Sequence, residues 1–385
     1  MKTAALSAAA LSVLVAQGVL SADWRLENHS ELLHRIPGDG VLPLVPADEP
    51  AARLDTQLEG SVLASGLYVR LRLAETEERT WGIQVPEAYY DASAGPLELS
   101  LGRKALPWDY AFGSAPLSWL GPAENKDDYD AEPLVLTEYF VGLQVWQAAC
   151  TVRLEDSDEL CLLRTEGFSA AGDWQALVGY EAGLRMGAGL NWIATDRLAL
   201  RVSMAWDEHR DQRAWQPDGE GFLTTDPLVQ TKDSRTQVTL GASYTHASGW
   251  DLLLEHAYNS AALSQSDWQT VQTRAARVGA QAEPQPGLRA QNLGWLARAA
   301  NTQPLAEHRT LIRSTQSWQD WSADALITLW WTDQTPTWLT QWGIDYQWAS
   351  QAEVGASWRY YDADGVLADL GQELRLSLTV TTTGR

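Results

Sequence analysis

Between Gln237 and Asn259, apolar and polar residues change places almost step by step on both sides of a tight turn. Val238, Leu240, Ala242 and Tyr244 share one face, against Gln237, Thr239, Gly241, Ser243 and Thr245. After the turn at His246–Gly249, Trp250, Leu252, Leu254 and Tyr258 alternate with Asp251, Glu255 and Asn259, while Leu253 and Ala257 interrupt the polar set. A side-chain period of two is the signature of a β-strand with one apolar and one polar face.

The pattern recurs. Leu184, Met186, Ala188, Leu190 and Trp192 face away from Arg185, Gly187, Gly189 and Asn191; Leu198, Leu200, Val202, Met204 and Trp206 face away from Arg197, Arg201 and Ser203. Near the end, Trp342, Ile344, Tyr346 and Trp348 oppose Gln341, Asp345 and Gln347, and Val354, Ala356, Trp358 and Tyr360 oppose Glu353, Ser357 and Arg359. The final strand sets Leu374, Leu376, Leu378 and Val380 against Glu373, Arg375, Ser377 and Thr379. Less regular segments at 67–73, 81–91, 97–106, 135–150, 160–168 and 174–181, with three strands expected in 290–332, bring the total to about 14–16. Each is close to the roughly 9–11 residues of a membrane strand. Residues 22–55 are Pro-rich, show no clean period and suggest an irregular, plug-like lead-in.

Short turns alternate with long polar connections at 109–133, 207–233 and 261–288. This asymmetry predicts an all-β, antiparallel, up-and-down transmembrane barrel over residues 56–385, with short turns on the periplasmic side and long loops outside. A soluble sandwich also alternates, but two features separate the cases. The polar faces carry Gly, Arg, Gln, Ser, Thr and Glu, the mix of a wet interior. The apolar faces start or finish on Trp or Tyr, as interfacial girdles do. In lipid every backbone group must pair internally, so a sheet must close on itself.

Composition sharpens this. The 385 residues include 20 Trp and 12 Tyr but only 4 Phe, a bias toward side chains with an apolar body and a polar tip. The net charge of −22 excludes nucleic acid, whose phosphates it would repel. The N-terminus, MKTAALSAAALSVLVAQGVLS, has one Lys, an apolar run and small closing residues. It is expected to be a secretory signal peptide over 1–21. Two cysteines, Cys150 and Cys161, flank TVRLEDSDEL. In an exported chain such a pair can form a disulfide across a hairpin, the alternative being two free thiols.

The most specific stretch is VPEAYYDASAGPLELSLGRKALPW. Glu87, Ala88, Tyr89 and Asp91, then Leu99, Leu101, Gly102, Arg103, Lys104 and Trp108, resemble outer-membrane porin-like β-barrel proteins of double-membraned (Gram-negative) bacteria. Asp369, Gly371, Leu374, Leu376 and Leu378 resemble the last-strand signal that barrel-assembly machinery reads, although the chain runs on to Arg385 instead of stopping on an aromatic. The resemblance implies an outer-membrane pore for passive diffusion of small hydrophilic solutes, with the lipid bilayer and the assembly machinery as partners and a homo-oligomer as an option.

Candidate pore-lining charges are Arg70, Arg72, Arg103, Lys104, Arg185, Arg201, Arg359 and Arg375, set against Glu98, Glu255 and Glu353. Either they set ion selectivity or they brace the wall in ion pairs. Strict alternation aims Arg103 at lipid, at a cost of roughly 2–4 kcal/mol at mid-bilayer, unless a bulge at Gly102 turns it inward toward Glu87. The acidic run Glu124–Glu132 suggests a solvated outer loop, and FGSAPLSWL before it is apolar enough to fold into the mouth as a constriction. The six histidines are scattered without a catalytic signature, and no cofactor, phosphate-loop or zinc pattern is present, so no enzyme is expected. The second reading is a structural or scaffolding barrel, plugged by 22–55 or by 109–133, or occupied by a partner protein.

Overall fold

The structure is a computed structural model. It describes residues 23–36, 52–62, 66–75, 81–121, 131–152, 159–215, 228–262, 306–331, 336–362 and 372–384, with isolated positions between 264 and 273. The signal segment, the acidic run at 124–130 and the connection at 216–227 lie outside them.

Eighteen strands account for most of this. They are β1 (Asp23–Ile36), β2 (Ala52–Val62), β3 (Leu67–Glu75), β4 (Trp81–Ala94), β5 (Leu97–Arg103) and β6 (Pro133–Val141). Then come β7 (Gln144–Thr151), β8 (Cys161–Ser169), β9 (Gly172–Tyr180), β10 (Leu184–Thr195), β11 (Leu198–Trp215) and β12 (Leu228–Thr245). Last are β13 (Trp250–Asn259), β14 (His308–Trp318), β15 (Trp321–Trp330), β16 (Thr337–Ala349), β17 (Ala352–Tyr361) and β18 (Gln372–Gly384). Each pairs antiparallel with its neighbour in sequence, and β1 pairs with both β2 and β18. Every strand therefore has two partners, and the sheet is an up-and-down ring without an edge, which is what the hydrocarbon core demands.

The count exceeds the 14–16 read from the alternation because β1 and β2 lie in and just after the lead-in and the segment read at 135–150 holds two strands, β6 and β7. The lead-in expected to be irregular contributes β1, whose outward positions Asn28, Ser30, Leu32 and His34 mix polar with apolar and hide the period. Separately, much of the connection expected at 207–233 is strand, since β11 and β12 run 18 residues each and so lengthen two strands already counted. Of the three strands expected in 290–332, β14 and β15 are present, and 290–305 lies outside the described residues.

The ring sorts side chains by register. Leu240 and Leu254 are about half exposed, at 50 and 46 %, although they lie within their strands. In water such a surface would be a liability; around a barrel it is the lipid-facing band. Trp192, Trp321, Tyr346 and Trp348 gather toward the short-turn end, with Tyr180, Trp338, Trp358 and Tyr360 toward the other. These are the two girdles of a membrane barrel. Cys150 stands opposite Cys161 across β7–β8 and is disulfide-bonded to it, with Cα atoms 4.1 Å apart on the outward parity.

Candidate functional site: the lumen and its infolded loop

The segment between β5 and β6 does not stay outside the ring. Residues 104–121 turn inward and pack on the inner wall formed by β6 to β14. Leu106, Trp108, Leu117 and Leu120 join Leu134, Leu136, Ala149, Leu160, Leu162, Leu177 and Ala205 in one buried cluster. These wall positions are apolar although they face the interior, which is why strict inside-polar counting blurs on β6 to β9.

Glycines make the room. An added Cβ at Gly187 would lie 2.5 Å from Leu117 Cδ2, and one at Gly189 would lie 3.0 Å from Leu117 Cδ1. The small residues on the polar face of β10 are thus the seat of the loop.

Polar anchors hold the loop in place. The backbone N–H groups of Phe112 and Gly113 donate to the two carboxylate oxygens of Glu255, each at 2.7 Å. Ser203 Oγ donates to Asp109 Oδ1 at 2.5 Å, and Asp109 also accepts from the N–H groups of Ala111 (2.9 Å) and Leu117 (2.6 Å). Burial pushes the Asp109 carboxyl above the usual aspartate value, against these bonds, which pull it down. Gln175 donates to the Trp108 carbonyl and Arg309 to the Gly113 carbonyl. Three guanidinium groups cap loop aromatics: Arg164 over Trp108 at 5.1 Å, Arg185 over Trp119 at 4.6 Å and Arg313 over Phe112 at 4.7 Å, an arrangement that favours the loop further.

The charges expected to line the pore separate into groups. Arg185 bridges Asp207 at 2.7 Å and Glu181 at 2.8 Å, buried under the loop. Glu255 is the loop's anchor. Across the ring, Arg70 pairs with Glu87 at 3.0 Å, Arg359 with Glu373 at 3.5 Å, and Arg375 with Glu31 at 3.4 Å and with Glu373. Arg72 is buried beside them. Arg201 donates to Ser243 at 3.2 Å near the short-turn end, and Lys104 pairs with Asp91 at 3.1 Å over the Tyr89 ring. Glu98 and Glu353 have inward parity and are exposed at that same end.

Arg103 is placed differently from the expectation. The ladder runs through Gly102 without a register shift, so no bulge re-aims Arg103. It keeps the outward parity at the strand end, where Gly102 (φ 127°) bends the chain and Arg103 Nε donates to the Ala131 carbonyl at 2.7 Å. Glu87 pairs with Arg70 and accepts the Ala105 N–H instead. Arg197, read as part of a strand face, sits in the exposed 196–197 turn. Asp109, Arg164, Gln175 and Ser203 were not foreseen, because their roles depend on a loop that returns to a distant wall.

A closed ring with an aromatic-girdled apolar exterior, a charged interior and the 104–121 segment folded inside is the architecture of outer-membrane channel barrels. Solved structures with a similar fold include OccAB1 of Acinetobacter baumannii, at 10% identity and a TM-score of 0.57 over 95% of this chain and 98% of that one. OccK2 (OpdF) of Pseudomonas aeruginosa, solved in complex with glucuronate, matches at 12% identity and 0.54 over 95% and 100%. OpdK of the same organism, solved with vanillate, matches at 11% and 0.52 over 95% and 100%. At these identities the likeness is one of fold. No family model matches the chain, and no curated protein matches it.

Proposed function

We propose that this protein is an outer-membrane porin-like channel for passive diffusion of small hydrophilic solutes, exported by the signal peptide at 1–21. The contrast between the two walls carries this reading. Under the loop, the side chains of Arg164 and Arg185 keep only 5 and 10 % of their surface. On the wall across the ring, the side chains of Arg70, Arg359 and Arg375 keep 23, 29 and 30 % of their surface. Water therefore reaches these three guanidinium groups, although Arg72 and Glu373 on the same wall are buried, and the loop narrows the passage from one side. Their partners Glu87 and Glu31 keep only 12 and 16 % of their side-chain surface, so the guanidinium groups are the charges a passing solute meets first.

Glucuronate and vanillate, the ligands named for two proteins of similar fold, are both carboxylates. Small carboxylates are accordingly the first solutes to offer this channel.

The test is single-channel conductance of the refolded mature protein in a planar bilayer under a salt gradient. Discrete steps with a reversal potential set by the Arg–acid strip are expected. A silent bilayer from a folded barrel overturns the channel reading in favour of a plugged or partner-filled structural barrel.

A further inference from the structure

Two histidines meet on the outside of the ring, where lipid-facing side chains should be apolar. His256 on β13 and His308 at the start of β14 have outward parity, diagonal to each other across the pairs His256↔Thr310 and Tyr258↔His308. Both are exposed. They lie at the long-loop end, beside the connection 260–307, at the level of the upper aromatic girdle. His256 Nε2 and His308 Nδ1 are 3.3 Å apart, with ring centroids 5.5 Å apart and planes 25° from parallel. Tyr258 packs against the His308 ring at 5.1 Å.

A short relay permits one protonation pattern that opens His256 Nε2. The Trp331 indole N–H can only donate, and it donates to Thr310 Oγ1 at 3.2 Å. That oxygen has a second lone pair for a proton on His256 Nδ1, 3.0 Å away. With its proton on Nδ1, His256 turns the Nε2 lone pair toward His308. Fixing one ring nitrogen by a hydrogen bond so that the other is free to bind is how metal-ligating histidines are held.

We propose that His256 and His308 form a two-ligand site for a divalent transition-metal ion on the outer rim of the barrel. Two nitrogens bound at about 2.0–2.1 Å to one tetrahedral ion stand about 3.3–3.4 Å apart. The pair already has that spacing, and a tetragonal copper(II) ion, whose cis nitrogens stand about 2.8 Å apart, needs the rings to close by about half an ångström. A cation takes the place of the shared imidazole proton, with His308 moving its own proton to Nε2. Imidazole donors favour copper, nickel and zinc over calcium or magnesium. Among the described residues no group of three or more His, Cys, Asp or Glu is placed to hold a metal. The described residues thus supply two donors.

The experiment is copper(II) titration of the untagged, folded full chain in detergent, read by electron paramagnetic resonance and by calorimetry. One ion per chain with coupling to two nitrogens is expected. His256→Asn or His308→Asn should leave a folded barrel and weaken binding about tenfold or more. His246→Asn, at the opposite rim, should change nothing. Thr310→Val should weaken binding about tenfold while keeping the two-nitrogen signature. Copper affinity that is the same in wild type and in the double His256→Asn, His308→Asn variant overturns the site. An unchanged affinity in Thr310→Val overturns the relay. The outcome does not depend on whether the lumen conducts.

Discussion

Removing the Glu255 carboxylate should release the infolded loop. Glu255 is 2 % exposed and accepts the N–H groups of Phe112 and Gly113 at 2.7 Å each. Hydrogen bonds to a charged acceptor contribute about 1.5–3 kcal/mol apiece. The freed amides can rehydrate in a wet lumen, so the lower end applies, about 3 kcal/mol for the pair. At about 1.4 kcal/mol per tenfold, Glu255→Ala lowers the ratio of docked to released loop by about two orders of magnitude. The strand ladder is untouched, so the barrel itself should fold and melt as before. In planar bilayers the variant should show larger, noisier conductance steps than wild type. In detergent, the 104–121 segment should become cleavable by a protease that the wild type resists. Glu255→Gln retains one acceptor oxygen and should fall between. If Glu255→Ala keeps wild-type conductance and wild-type protease resistance, the anchoring argument is wrong.

The other expectations rest on separate contacts. Gly187→Leu places side-chain atoms where Leu117 sits; overpacking of about 1–3 kcal/mol should push the loop out, raising conductance as Glu255→Ala does. Arg185→Leu leaves Asp207, itself 2 % exposed, without its cation at about 3–5 kcal/mol, whereas Arg185→Leu with Asp207→Leu should recover much of that in thermal melts. Burial raises the Asp109 carboxyl above its ordinary 3.8. Docking therefore favours the protonated acid, is complete below that ordinary value and weakens as pH rises through the raised one; open-state noise should grow over that window, and Asp109→Asn should flatten the dependence. Cysteines 150 and 161 close a loop of 11 residues, so replacing both by Ser should cost about 3 kcal/mol, visible as an earlier denaturant midpoint with the same strand content.

The alternation at 184–206 and 237–259 determined most of the architecture by itself. A period of two with aromatic ends is a local property: each residue's face follows from its position in the strand, and the membrane asks the same of every strand. Where β1 mixes Asn28, Ser30 and His34 with Leu on its outward face, the local signal fails. Its place is decided by pairing with β2 and β18, which closes the ring.

The charges of the lumen were legible as residue types on inward faces, but their partners were not. Arg70 finds Glu87, and Arg375 finds Glu31 from the other end of the chain. Register across strands, and across the closure, sets those distances. Arg103 shows the converse: Gly102 was legible as a special position, yet only the intact ladder and the Ala131 carbonyl show where the guanidinium goes. The loop at 104–121 was apolar enough to suggest entry into the mouth. That it docks on Gly187, Gly189, Ser203 and Glu255 is a tertiary fact, because a loop's destination depends on the wall that has the space and the acceptors to receive it. The same holds for His256 and His308, separated by 52 residues, which become neighbours only when β13 and β14 pair.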